Sequence, residues 1–88
     1  MNKVKDFVTK QVKIKAIQYS SQNSREVLHW IREFGGKFDF NNFNYEFRLE
    51  TDEGVKNVQD GDWVIRDVKS GMWSIMNHNK FKHFYENL

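Results

Sequence analysis

The 88-residue chain contains no cysteine and no proline, and it lacks any long run of apolar residues. Without cysteine, neither a disulfide framework nor a thiolate zinc site can form, and a reducing compartment fits this composition. No segment approaches the roughly 18 consecutive apolar residues that span a bilayer. The N-terminal segment also lacks the continuous apolar stretch of a signal peptide. We therefore expect a cytoplasmic protein without a membrane segment.

The chain is instead rich in aromatic side chains, with eight Phe, three Tyr and three Trp. A domain of this size buries only about 60% of the surface that its unfolded chain exposes, so its core must be efficient. Each aromatic ring removes a large area from water when it is buried. We expect residues 1–88 to form one domain, with residues 1–11 as a flexible or extended arm.

Hydrophobic periodicity predicts the first two elements. Residues 12–19 alternate between apolar side chains and lysines over most of their length, which is typical of a strand. A helix is expected after Asn23, which precedes Glu26 by three residues as a predicted capping pair. Apolar residues at helical spacing continue from Val27 to Phe34, and the pair Gly35-Gly36 predicts the end of this helix.

A hairpin is predicted next, with arms at Lys37–Phe40 and Phe43–Glu50 around a turn at Asn41-Asn42. In the second arm every other residue is apolar, which is the clearest strand signal in the chain. This alternation predicts one buried face made of Phe43, Tyr45, Phe47 and Leu49.

Three shorter strands are expected around residues 55–58, 63–68 and 72–76, with turns at Asp60-Gly61 and Lys69-Ser70-Gly71. A closing helix then places Phe81, Phe84, Tyr85 and Leu88 on one apolar stripe that the sheet must cover. This order predicts an α+β fold: a small, mostly antiparallel sheet of about five to six strands, with one helix after the first strand and a C-terminal helix packed on it.

Two segments of the chain carry a recognisable pattern. The matching residues are Thr51, Glu53, Gly54, Val58, Gly61 to Ile65, Val68, Lys69, Gly71, Phe81, Tyr85 and Glu86, preceded by Ala16, Gln18, Tyr19, Asn23, Glu26 and Val27. Over roughly residues 12–86 the chain resembles a mostly uncharacterised family of small proteins from tailed bacteriophages and prophages. The resemblance implies a viral origin and a fold more than it implies an activity.

The chain departs from this family between Met72 and Asn79. The family's Tyr-Pro-Cys-Lys-Pro run is absent there, and Trp, Met and Asn residues stand in its place. If that run carries the family's function, this chain has lost or changed it.

Charge is unevenly distributed along the sequence. Residues 1–32 hold seven Lys and Arg against two carboxylates, whereas residues 39–67 hold three against eight. If this segregation survives in space, the protein has a basic end and an acidic end that steer it towards a partner. The simpler interpretation is a set of ordinary solvated faces.

The side chains that could serve catalysis or metal binding are His29, His78, His83, Asp52, Glu53, Asp60 and Asp62. The triplet Asp60-Gly61-Asp62 resembles a fragment of a calcium loop, but the remaining ligands are missing at the required spacing. We expect an ordinary turn instead, with Asp60 bonded to its own backbone and Gly61 at positive φ. No nucleophile, base and orienting group occur together, so we expect no enzyme activity, no metal and no cofactor.

Binding therefore remains as the expected function. The viral resemblance implies that the chain binds a host protein and inhibits or modulates it. The partner would be a defence factor, as for anti-CRISPR proteins, or a replication factor. Trp and Met are enriched at protein interfaces, and charges at the rim set association rates. The predicted contact residues are Glu46, Glu50, Asp52, Glu53, Met72, Trp73 and Met76.

Two alternatives stay open. A basic arm with stacking aromatics fits single-stranded nucleic acid, with contacts expected at Lys3, Lys5, Lys10, Lys13 and Lys15. An aromatic pocket around Tyr45, Trp63 and Trp73 fits a sequestered nucleobase or another small molecule. Both a monomer and a homodimer are compatible with the sequence.

Overall fold

The computed structural model of the chain describes residues 13–85. The predicted arm at residues 1–11 lies outside this range, as do Val12, Glu86 and Leu88. Within it, six strands and two helices follow the predicted order: β1 Ile14–Gln18, α1 Ser24–Glu33, β2 Phe38–Asn41, β3 Glu46–Thr51, β4 Gly54–Val58, β5 Trp63–Asp67, β6 Trp73–Met76 and α2 His78–Tyr85.

The strands form two antiparallel three-stranded sheets: sheet A in the order β1-β5-β6 and sheet B in the order β2-β3-β4. The α+β class is confirmed, whereas the prediction of a single sheet is wrong. The turn after β4 turns the chain away from sheet B, because Gly61 N–H donates to the Tyr19 carbonyl (2.8 Å) and Tyr19 N–H to the Asp62 carbonyl (2.8 Å). These bonds place β5 beside β1 instead of beside β4.

Within residues 13–85, a hydrogen bond and an aromatic contact help to join the sheets. The Asp52 N–H, just after β3, donates to the Trp73 carbonyl in β6 at 3.2 Å. The rings of Tyr19 and Phe47 meet with their centroids 5.0 Å apart. Around them lies one apolar core, whose buried members are Tyr19, Val27, Ile31, Phe47, Leu49, Val58, Val64 and Trp73.

Helix α1 closes this core with Val27 and Ile31, both fully buried. It ends at the predicted place, and Gly35 adopts a φ of 81°. Gly36 packs so closely that a β-carbon at this position would lie 2.5 Å from Ile31 Cγ2 and 2.9 Å from Trp73 Cε2. Glycine at this position therefore allows the chain to pass between the helix and sheet A.

The predicted capping pair of Asn23 and Glu26 does not form. Asn23 precedes α1 but makes no side-chain cap bond. Its Oδ1 accepts from the Ser20 N–H at 2.8 Å, and its Nδ2 donates to the Gln18 carbonyl at 2.8 Å. The amide is thus used to close the turn between β1 and α1 and is not available to the helix.

The hairpin turn is longer than predicted, and this changes the burial of two aromatic residues. Residues 42–45 form the turn, so Phe43 is 96% exposed and Tyr45 64% exposed, instead of lying on the buried face. The Asn41 Oδ1 accepts from the Phe43 N–H (2.8 Å) and the Asn44 Oδ1 from the Glu46 N–H (3.0 Å). These side-chain bonds favour the turn over an extended strand.

Helix α2 is held by a ring stack and not by a continuous stripe. Trp63 and Phe81 are nearly parallel, with centroids 3.9 Å apart. Phe84, predicted to be buried, is 61% exposed, because the stack on Trp63 is made by Phe81, which contacts Tyr85 at a centroid distance of 4.9 Å. Neither helix of the described part of the chain is long and apolar enough to cross a membrane.

Burial separates two phenylalanines that the sequence predicts to be equivalent. We expect Phe47→Ala to lower the free energy of unfolding by about 3–5 kcal/mol, because its ring is buried and leaves a cavity. Phe84→Ala should change it by less than about 1 kcal/mol. Urea unfolding of both variants checks this expectation, and equal losses would contradict the placement of α2.

Candidate functional site

The predicted acidic residues of the hairpin share one surface. Phe47 and Leu49 face the core, so Glu46, Arg48 and Glu50 face outwards between them. Glu46 Oε1 lies 3.4 Å from an Arg48 guanidinium nitrogen. The register of the three strands defines the outer face of sheet B, whose exposed members are Asp39, Asn41, Glu46, Arg48, Glu50, Val55 and Asn57.

The other two predicted acidic residues, Asp52 and Glu53, form the turn between β3 and β4. Glu53 accepts a hydrogen bond from Lys56 Nζ at 2.6 Å, and this contact lowers the pKa of its carboxyl. Sheet B and its turn therefore carry all four predicted acidic residues. Glu46 and Glu50 lie on the outer face, and Asp52 and Glu53 lie at its end.

The predicted contact patch of Trp73 with Met72 and Met76 is wrong for Trp73. This side chain is 7% exposed and packs edge-to-face on Trp30, with centroids 5.2 Å apart. Met72, on the opposite face, is 51% exposed, and Met76 is half-buried opposite Trp63. Met72 and Asp52 line one cavity of about 240 Å³. Alternation alone does not show whether Trp73 or Met72 and Met76 are buried, because the answer depends on which face of β6 helix α1 covers.

The predicted aromatic pocket does not form. Trp63 stacks on Phe81 beneath α2, while Trp73 belongs to the core. Tyr45 lies in the hairpin turn, against Phe40 at a centroid distance of 6.3 Å. The three rings of the predicted pocket thus belong to three different parts of the fold.

Two of the five predicted nucleic-acid contacts, Lys13 and Lys15, are described, and Lys3, Lys5 and Lys10 lie outside the described residues. Lys15 lies directly opposite Arg66 across β1 and β5. Arg66 places its guanidinium 4.9 Å from the centre of the Phe34 ring. Its buried Nε has no hydrogen-bond partner within residues 13–85. Arg66 was missed because it follows a stretch rich in carboxylates.

These residues form a second surface, which we call the basic patch: Lys15, Trp30, Phe34 and Arg66. Lys15 and Trp30 line a common depression between β1 and α1. Over the described part of the chain, neither Lys15 nor Arg66 is among the cations that pair with a carboxylate. The basic patch lies on sheet A and α1, where Glu26 lines the same depression, whereas the four predicted acidic contact residues lie on sheet B and its turn.

A cavity of about 410 Å³ lies between two turns, and we call it the turn cavity. One side is the hairpin turn of sheet B, and the other is the turn between β4 and β5. It is lined by Tyr19, Ser21, Asn44, Tyr45, Glu46, Phe47, Asn57, Val58, Gln59 and Asp60. Its aromatic and apolar members are Tyr19, Tyr45, Phe47 and Val58, and two acidic residues, three amides and one serine form the rest.

The turn before β5 fixes the position of Asp60 in this cavity. Gly61 adopts the predicted positive φ, 94°. Asp60 does not bond its own backbone, because its Oδ1 accepts from the Ser21 N–H at 2.8 Å. Asp62 closes the turn instead, with its Oδ2 accepting from the Gln59 N–H at 2.9 Å. The result is a carboxylate held at the cavity beside the end of β1.

No sequence pattern marks Tyr19 as a functional residue. Its side chain is 3% exposed, yet its hydroxyl makes no hydrogen bond with any residue in the range 13–85. Burial, and next to it the charge of Asp60, raises the pKa of this hydroxyl above its ordinary value of 10.0. Tyr19 therefore remains protonated around neutral pH, next to a fixed negative charge.

The three histidines considered for chemistry lie apart. His29 is 3.9 Å from Glu33 on the exposed side of α1. His78 Nδ1 accepts a hydrogen bond from Trp63 Nε1 at 3.2 Å, and His83 is exposed on α2. Within the described range, no group of three or more His, Asp or Glu side chains is placed to hold a metal ion.

Comparisons of the chain with protein-family models, with curated proteins and with solved structures find no match.

Titration of Tyr19 should lower the free energy of unfolding at alkaline pH. The pKa of its hydroxyl is raised in the folded state. Its contribution to the free energy of unfolding is therefore fully present at pH values below the unfolded pKa of about 10, and it is lost as the pH rises through the folded pKa. Tyr19→Phe removes this titration and no hydrogen bond within residues 13–85. We expect Tyr19→Phe to keep near-normal stability at neutral pH and to lose less stability than wild type above pH 10. Urea titrations across this pH range measure both limbs, and identical alkaline limbs would contradict the assigned environment.

Proposed function

We propose that this chain is a non-enzymatic accessory protein of a phage or prophage, which binds a host protein and inhibits or modulates it. The proposed setting is the cytoplasm of the infected or lysogenic bacterium. The partner is a defence component, as for anti-CRISPR proteins, or a replication factor. Neither a metal nor a cofactor is part of this proposal. The viral origin rests on the sequence resemblance, and the mode of binding rests on sheet B.

The observation that carries this proposal is the position of Phe43. Its side chain is 96% exposed, although two asparagine side chains order the turn that bears it. Single exposed apolar residues are common, but Tyr45 (64%) in the same turn and Val55 (61%) on sheet B are exposed as well. Aromatic side chains dominate the energetic centres of protein interfaces. An ordered turn that holds a phenylalanine in water is well suited to insert it into a partner's pocket.

Charge supports the same surface and indicates the partner's chemistry. Glu46 and Glu50 share the outer face of sheet B with Arg48, and Asp52 lies at its end. Complementary charge at an interface rim accelerates association and excludes partners of the same sign. We therefore propose a basic surface on the host protein. Met72 adds an exposed apolar side chain beside Asp52.

The basic patch favours a second candidate function, binding of single-stranded nucleic acid. Lys15 and Arg66 are like charges directly opposite each other on neighbouring strands, an arrangement that costs stability. A phosphate group between them would relieve this repulsion and satisfy the buried Arg66 Nε. Trp30 and Phe34 offer rings on which bases could stack. The patch is small, however, and the carboxylates of sheet B repel a polyanion.

Affinity capture from a host lysate, followed by affinity measurement with the captured protein, tests the preferred function. We expect Phe43→Ala to weaken binding by about 2 kcal/mol or more, roughly thirtyfold in Kd, because it removes the central aromatic contact. Phe84→Ala is the matched control, since it removes an exposed phenylalanine from α2. Equal affinities of wild type and Phe43→Ala would contradict the proposed surface.

A charge reversal separates the two candidate functions. With a protein partner, the double variant Glu50→Lys and Glu53→Lys should associate more slowly and with a flatter salt dependence than wild type. With nucleic acid, the same variant should bind more tightly, whereas Lys13→Glu with Lys15→Glu should abolish binding. Stopped-flow association at several salt concentrations, against the captured protein and against a single-stranded oligonucleotide, measures both. Tight, salt-sensitive binding to the oligonucleotide, improved by the acidic reversals, would contradict a protein partner.

A further inference from the structure

We propose that the turn cavity binds the guanidinium group of an arginine side chain. This inference rests on the proposed function, because the proposed partner protein supplies the arginine. The cavity itself is defined by residues of this chain, so its preference for a guanidinium group can be tested without the partner.

The charges around the cavity select a cation. Among the described residues, its lining includes Asp60 and Glu46, whose carboxylate also lies 3.4 Å from Arg48, and contains no Lys, Arg or His. One oxygen of Asp60 accepts the Ser21 N–H, and the other accepts no hydrogen bond within residues 13–85. Amide side chains of Asn57 and Gln59 add further acceptors. A ligand with several N–H donors and a positive charge fits this lining, whereas an anion would be repelled.

Tyr19 provides an independent indication of a ligand. Its side chain is 97% buried, it lines the cavity, and its hydroxyl has no hydrogen-bond partner in the described part of the chain. Tyr19 and Asp60 both line the cavity. A donor placed between them would satisfy the hydroxyl oxygen and the carboxylate together.

The aromatic wall favours guanidinium over ammonium. The rings of Tyr19 and Phe47 meet at 60° with their centroids 5.0 Å apart, and Tyr45 lies at the same cavity. A guanidinium group is planar and weakly hydrated, and it stacks on aromatic rings while donating hydrogen bonds from its edge. A lysine ammonium is a compact, strongly hydrated charge that makes less use of such a wall. The volume of about 410 Å³ is sufficient for an arginine side chain.

The position of the cavity connects it to the proposed interface. Tyr45 and Glu46 line the cavity, and Phe43 projects from the same turn. Tyr45 has a φ of 57°, a conformation that is uncommon for a residue other than glycine and often occurs at functional sites. A partner that contacts Phe43 thus reaches the cavity with a neighbouring side chain.

NMR titration of the ¹⁵N-labelled chain with N-acetyl-arginine methylamide tests this inference. We expect saturable shifts of the backbone amides of Ser21, Asn57 and Asp60. The matched ligands are the capped forms of lysine and of citrulline, which has the shape of arginine without its charge. Capped arginine should bind more tightly than both, because only it combines the charge with a planar donor group.

Two conservative variants identify the site. Asp60→Asn keeps the oxygen that accepts the Ser21 N–H but removes the charge, so it should weaken binding of capped arginine roughly tenfold or more. Asp62→Asn is the control, since it makes the same change in the same turn outside the cavity. Tyr19→Phe should weaken binding of capped arginine, while its NMR spectrum remains that of a folded chain.

The outcomes distinguish this inference from the proposed function. Shifts that do not saturate, equal binding of capped citrulline, or equal effects of Asp60→Asn and Asp62→Asn would each overturn the guanidinium site. If a captured host protein depends on Phe43 but not on Asp60, the inference falls and the proposed function remains. If capped arginine binds as expected but no host protein depends on Phe43, the cavity remains and the proposed function falls.

Discussion

The contact of Phe47 with Tyr19 is the interaction on which both the fold and the candidate site depend. Phe47 lies in sheet B, and its ring meets that of Tyr19, at the end of β1 in sheet A, at 5.0 Å. Phe38 and Phe40 also pack on the Phe47 ring, each with a centroid distance of 6.1 Å. One buried ring thus joins the two sheets. Because the same two rings form the wall of the turn cavity, the core and the candidate site cannot be changed independently.

The polar features of the molecule lie around this apolar contact in an uneven way. Carboxylates gather on sheet B and its turns, and the basic patch forms on sheet A with α1. Two features of the hairpin turn are unfavourable in the isolated chain: the exposed ring of Phe43 and the positive φ of Tyr45, 57°. Natural sequences keep such locally unfavourable features mainly where function needs them. Their occurrence at one end of the molecule is the main physical argument for a binding surface there.

Periodicity was sufficient to predict most elements, and its failures have specific causes. Apolar alternation from Phe43 onwards continued through a turn, and only the asparagines at positions 41 and 44 indicated where the strand begins. The burial of Trp73 depends on α1 covering one face of β6, which no local pattern contains. The division into two sheets follows from pairing of β5 with β1, more than forty positions apart in sequence. The turn cavity likewise combines Tyr19, Tyr45 and Asp60, so its existence is a property of the fold alone.

The central claim is that the hairpin turn and the turn cavity form the binding face of this protein. Hydrogen–deuterium exchange of the chain, alone and with its captured partner, tests this claim most directly, since it covers every backbone amide without mutation. The account predicts that the partner slows exchange in residues 41–46 and 57–61, which form the two turns. Protection confined to residues 13–16 and 64–67, the strands that carry Lys15 and Arg66, would contradict it.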